Sequence, residues 1–144
     1  MSLEENRITR DYLFGRLLAV AEKIEGYALY LQGEKRDTTA ERLMQRFADH
    51  PATTWRTIEL ALRPYMARLQ TRRGGTLHVW KALLDEIAAK FQGEDFTRPG
   101  RLDAEFLLGY HCQRTALNFK RVADSGNELA DTSDDTTPQQ GERP

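Results

Sequence analysis

The sequence predicts an all-α protein, a single bundle of about five helices followed by a disordered acidic C-terminal tail, and three observations predict it. Apolar residues recur at steps of three and four through several long stretches, the period of a helix with one buried face. No segment alternates apolar and polar residues for long enough to form a strand. From Asp124 the chain reads DSGNELADTSDDTTPQQGERP, with almost nothing apolar beyond Leu129 and Ala130, too little buried surface to offset the entropy of ordering it. The expected organisation is a flexible N-terminus over residues 1–8, a helical bundle over 9–122 and a disordered acidic tail over 123–144.

The first helix carries the strongest pattern. Thr9 is placed to cap it, and Leu13, Leu17, Val20, Ile24, Tyr27 and Leu31 follow at alternating steps of four and three. Gly15 within it costs roughly 1 kcal/mol relative to alanine, which close approach of another helix would justify. Gly33 supplies a left-handed stop. Thr38 and Glu41 have capping-box spacing and open a shorter helix with Leu43, Met44 and Phe47 inward and Arg42 and Arg46 projecting together. His50, biased away from helix by the following proline, ends it, and Pro51 begins the next.

That next helix, Pro51 to Arg73, buries Trp55, Ile58, Leu62, Tyr65, Met66 and Leu69 on one narrow face. Arg56 and Arg63 edge one side of the face, Arg68 and Arg72 the other, and Pro64 inside the helix is expected to kink it near Leu60 to Arg63. After Gly74 and Gly75 a fourth helix is expected from Thr76, burying Trp80, Leu83, Leu84, Ile87 and Phe91. The stretch QGEDFTRPGR, Gln92 to Arg101, is an irregular connector. Asp103 then caps the last helix, with Leu102 and Leu107 placed as a hydrophobic staple. Phe106, Tyr110, Gln113 and Leu117 share its inner face, Gly109 sits beside them, and the pattern fades by Val122. A buried Gln113 requires a hydrogen-bond partner.

Length and composition bound the function. With 144 residues and 40% hydrophobic content the chain fits one domain. It has no run of eighteen apolar residues and no signal-like N-terminus, so a cytoplasmic protein with no membrane contact is expected. The single cysteine, Cys112, excludes an internal disulfide and a cysteine-based metal cluster. The formal charge of −1 conceals an asymmetry. The tail from Asp124 holds six acidic residues against Arg143 alone, and the remainder carries 20 basic against 16 acidic residues.

No catalytic, cofactor-binding or metal-binding constellation emerges, so neither an enzyme nor a small-molecule substrate is expected. His50, His78 and His111 are isolated, and adjacent His111 and Cys112 point about 100° apart on a helix. Carboxylate pairs such as Glu22 with Glu25 fall on presumed helix exteriors as solvated charges. Gly74 and Gly75 lack the strand, lysine and hydroxyl of a phosphate loop. What remains is basic charge. Between Trp55 and Lys81 six basic residues stand against Glu59 alone. Arginine dominates, and its planar fork suits bidentate phosphate contact. Arg42, Arg46, Arg56, Arg63, Arg68, Arg72, Arg73 and Lys81 are the candidate nucleic-acid contacts. No exposed aromatic cluster interleaves them, which points to backbone contact without base stacking. The alternative is a purely structural helical adaptor whose arginines meet acidic protein surfaces.

The run RDYLFGRLLAVAEKIE from Arg10 to Glu25, Pro51 with the long basic helix behind it, and LGYHCQR from Leu108 to Arg114 resemble the C-terminal portion of the large subunit of type I-C CRISPR Cascade complexes. In that family the same portion is also made alone, from an internal start, as the small subunit. The resemblance covers about Ile8 to Val122, and a chain beginning just ahead of the bundle fits the free small subunit. It implies a non-catalytic subunit that touches the crRNA-bearing backbone subunits, neighbouring copies of itself and the large subunit. It further implies a positive surface for target DNA, especially the displaced non-target strand, that stabilises the R-loop. The tail after Asp124 lies outside the resemblance.

Overall fold

Helix α1, Arg10–Leu31, is the axis around which the other elements pack. A computed structural model gives the backbone of residues 2–128 and the side chains of residues 2–118. Within them the elements are α1, α2 (Thr39–Arg42), α3 (Met44–Asp49), α4 (Pro51–Arg72), α5 (Gly74–Ala89) and α6 (Ala104–Glu128), and no strand occurs among the described residues. The all-α bundle follows from the periodicity. The one extra helix arises because the expected second helix breaks at Leu43, whose backbone (φ −102°, ψ 9°) leaves the helical region and separates α2 from α3.

The heptad stripe of α1 is buried or half-buried, but so are its other sides. Tyr12 through Ala21 are covered without interruption, and Phe14, Leu18 and Ala28 are as buried as Leu13 and Leu17. A helix covered all round is a central helix, which a single stripe does not reveal. It ends in a Schellman motif: Gly33 at φ 74° donates to the Tyr30 carbonyl at 3.1 Å and Glu34 to Leu29 at 3.0 Å.

Helix α6 packs on α1 most extensively of all. Its contacts with α1 pair Arg16 with Gln113 and Lys23 with Asn118, so the two helices run in the same direction. They touch at two glycines. A Cβ on Gly15 would overlap the Phe106 carbonyl oxygen and lie 2.6 Å from the Tyr110 nitrogen, and one on Gly109 would lie 2.9 Å from the Tyr12 carbonyl carbon. Gly15 therefore does permit the close approach its cost suggested, and Gly109 is its counterpart. The Thr9 hydroxyl makes no cap bond to α1 and donates instead to Glu105 at the start of α6.

Aromatic rings fill the space between α1 and the remaining elements. Phe14 meets Phe47, Phe91 and Phe96 at centroid distances of 5.7, 4.8 and 5.4 Å, and Phe47 reaches Trp55 and Phe106. Phe91 and Phe96, from the end of α5 and the irregular connector, thus bring that connector into the core. The predicted capping box is present, with Glu41 N donating to Thr38 Oγ1 at 3.1 Å and Thr38 N to Glu41 Oε1 at 2.8 Å. Asp103 caps α6 through the Glu105 amide at 2.9 Å.

Several boundaries and placements differ from expectation. Helix α5 starts at Gly74, not Thr76, with Arg73 alone as linker, because one residue at φ −145°, ψ 51° suffices to break the helix. Helix α6 does not fade at Val122 but continues to Glu128, so it takes in the first residues assigned to the tail; the remainder of that tail, residues 129–144, lies outside the described residues. Leu107 is 47% exposed and forms no staple with buried Leu102, whose amide instead donates to the Ala48 carbonyl at 2.8 Å. Ahead of α1, Glu4 N donates to the Tyr12 hydroxyl at 3.0 Å and Lys90 Nζ to the Glu5 carbonyl at 2.9 Å.

Candidate nucleic-acid interface

The apolar face of α4 decides where its arginines go. Trp55, Ile58, Leu62, Tyr65 and Leu69 are buried as predicted, and Met66 packs against them half-covered. With that face inward, Arg56, Arg63, Arg68 and Arg72 are exposed, as are Arg73 in the linker, Lys81 on α5 and Arg42 and Arg46 on the short helices. All eight candidates therefore lie at the surface.

Ion pairing separates them from seven of the other cations. Ion pairs within 4.0 Å engage Arg7, Arg10, Arg36, Lys90, Arg98, Arg101 and Arg114, and none of the eight candidates has one among the described residues. Where the candidates are held, the acceptors are neutral. Arg42 donates to Thr39 Oγ1 at 3.2 Å, Arg68 to Gln32 Oε1 at 2.8 Å, Arg72 to the Leu31 carbonyl at 3.3 Å and Arg73 to the Arg72 carbonyl at 2.8 Å. A neutral acceptor orders a guanidinium without cancelling its charge, so these groups remain available to an anion.

The eight do not form one patch. Arg68 and Arg72 both reach the C-terminal end of α1, where their acceptors are the consecutive residues Gln32 and Leu31. Arg46 lies beside the start of α4, where Thr54 Oγ1 donates to its carbonyl at 3.3 Å, whereas Arg42 is held on Thr39 of α2. Arg56 and Arg63 share the outer side of α4. Sequence reasoning passed over Arg36, which the turn after α1 folds onto Tyr65 beside Arg68. No local pattern marks it, because the proximity comes from the α1–α4 packing.

A groove of about 430 Å³ runs beside α1, α6 and the turn between α1 and α2. Its charges are balanced, with Glu22, Glu34 and Glu41 facing Lys23, Arg36 and Arg114, so it does not extend the positive surface. In its wall the Tyr110 hydroxyl donates to both oxygens of Glu22 at 2.8 Å, and Arg114 lies 3.8 Å away. Burial pushes the Glu22 carboxyl above its usual range, against the lowering effects of the tyrosine bond and Arg114. Burial and then Glu22 push the Tyr110 phenol up as well.

The acidic pair expected on an exterior is in fact interior. Glu25 is 1% exposed, accepts from the Thr39 amide at 2.9 Å and hydroxyl at 3.3 Å, and lies 3.8 Å from Arg36. It fastens the start of α2 to α1, a role set by tertiary packing. Among the described residues no three His, Cys, Asp or Glu side chains converge as a metal site; Cys112 is buried and His111 exposed. No helix among the described residues is long and apolar enough to cross a membrane.

No curated protein matches this sequence. The family profile for CRISPR-associated protein (Cas_Csd1) matches residues 1–118, which takes in α1 to α5, the connector and α6 as far as Asn118. The chain thus belongs to the Cas_Csd1 family of CRISPR-associated proteins and is a Cascade-type protein.

Proposed function

We propose that this protein is the non-catalytic small subunit of a type I-C Cascade complex, a cytoplasmic assembly guided by crRNA. In this reading it touches the backbone subunits, the large subunit and neighbouring copies of itself, and holds target DNA by its phosphates. The displaced non-target strand is the DNA it meets, and the contact stabilises the R-loop. The observation that carries the reading is the segregation of cations: eight exposed basic side chains without carboxylate partners among the described residues, beside seven that are paired. Exchange of a DNA duplex for a heteroduplex is nearly balanced in free energy, so a few backbone contacts tip it.

The test is R-loop formation by the reconstituted complex on a target duplex, with the wild-type chain, without it, and with Arg63, Arg68 and Arg72 changed to glutamate. Omission and the triple reversal are both expected to reduce the open fraction, and the defect should deepen with salt. Normal opening with the triple variant in place would overturn the phosphate reading. A structural adaptor is the second reading, favoured by the internal hydrogen bonds of Arg42, Arg68, Arg72 and Arg73. It predicts that the same reversal blocks incorporation of the chain into the complex.

A further inference from the structure

Tyr65 is a nearly covered residue of α4, yet guanidinium groups from two elements converge on its ring. Arg68, from the same helix, lies 5.1 Å from the ring centroid, and Arg36, from the turn after α1, lies 5.7 Å from it. Such contacts stabilise a cation while leaving its edge donors open. The two arginines differ in what else they meet. Arg36 donates to the Tyr65 hydroxyl and has Glu34 at 3.4 Å and Glu25 at 3.8 Å, so its charge is largely answered. Arg68 meets only a neutral acceptor, Gln32, at 2.8 Å.

One turn further along α4, Arg72 gives Nη1 to the Leu31 carbonyl at 3.3 Å. Two unneutralised guanidinium groups, one helical turn apart on α4, therefore reach consecutive residues at the end of α1, Leu31 and the capping Gln32. Each has one donor engaged by a neutral oxygen and makes no other recorded hydrogen bond among the described residues. Each is charged, exposed and already ordered, which removes part of the entropy lost when a flexible arginine captures an anion. A phosphate diester, with two anionic oxygens, matches two forks presented together.

We propose that this corner, where the last turn of α1 meets the C-terminal half of α4, is a pre-organised phosphodiester site for a single nucleic-acid strand. Arg68 and Arg72 make the contacts. Tyr65 and Gln32 are positioning residues for Arg68, and Arg36 locks the Tyr65 hydroxyl without itself holding the ligand. The inference rests on the nucleic-acid reading above and narrows it to one subsite. If the arginines serve only to tie α4 to the end of α1, through the Gln32 side chain and the Leu31 carbonyl, their loss moves stability and leaves salt-dependent binding unchanged.

The test uses the full chain and a fluorescein-labelled oligothymidylate, with anisotropy followed from low to moderate salt and thermal melts recorded for every variant. Arg68→Gln and Arg72→Gln are each expected to lower the log–log salt slope by about 0.7. Each should also weaken binding about twofold to fivefold. Tyr65→Leu is expected to weaken binding like Arg68→Gln and to add nothing in the Arg68→Gln background, while Tyr65→Phe, which keeps the ring, binds as wild type. Should Tyr65→Leu fail to fold, Gln32→Ala on the exposed turn runs the same cycle.

Additive losses in that cycle overturn the positioning role. If Arg68→Gln and Arg72→Gln leave affinity and slope unchanged while Arg56→Gln with Arg63→Gln lowers both, the corner is not the site and the phosphate reading survives. If the wild-type chain shows no salt-dependent binding at low salt, the phosphate reading falls with it.

Discussion

A guanidinium group sits inside this bundle, and one glutamine makes its hydrogen bond. Arg16 is 1% exposed, and its Nε donates to Gln113 Oε1 at 2.7 Å while Nη1 has no partner among the described residues. Burial lowers its affinity for the proton, opposed by the charges of Tyr12, Glu5 and Glu86. Gln113→Leu strands the cation and is expected to cost about 2–3 kcal/mol in urea unfolding. Arg16→Met in the same background should recover most of the loss, because replacing both partners by apolar groups leaves nothing unsatisfied. Glu22 gives a second expectation at this scale. Its folded carboxyl binds protons more readily than in the unfolded chain, so its ionisation disfavours the fold above its folded pKa and acidification relieves that. Glu22→Gln, which still accepts from Tyr110, should raise Tm at neutral pH. Acidification from neutral to mildly acidic pH should also raise Tm less in the variant than in wild type.

Among the elements, the contact of α1 with α6 is the least tolerant of added volume, because the groups facing Gly15 and Gly109 are backbone atoms that cannot rotate away. Gly109→Ala should destabilise the fold by about 1–3 kcal/mol even though alanine favours helix, with the loss read as a lower urea midpoint at unchanged slope. The start of α2 is held twice, by its own capping box and by Glu25 from α1. Thr38→Ala removes one hold and should cost about 1 kcal/mol, leaving the helix docked by the other. Helix α4 joins packing to charge, since the residues that bury Trp55 to Leu69 also fix the register at which its arginines emerge.

At the scale of the whole molecule, the eight candidates and the seven ion-paired cations among the described residues should behave differently. Arg98→Gln removes a guanidinium already paired with Asp95 at 2.9 Å and should leave oligonucleotide affinity and its salt slope unchanged. Arg63→Gln removes an unpaired one and should lower the slope by about 0.7. Equal effects from the two would mean that net charge alone governs binding.

Helix periodicity, the capping box, the Gly33 stop, the Asp103 cap and the apolar face of α4 were legible in the chain because each depends on residues within a few positions of one another. The same holds for the exposure of Arg56, Arg63, Arg68 and Arg72, which follows from that face. The sequence therefore determined an all-α bundle, the element that carries the arginines and the residues that mark its family. Only the tertiary structure decided that α1 is enclosed on every side from Tyr12 to Ala21, that Glu22 and Glu25 turn inward, that Gln113 answers Arg16, and that Arg36 and Arg68 share the Tyr65 ring. Each of those joins residues distant in the chain, and which faces meet is set by how whole helices pack, a choice that no local spacing encodes.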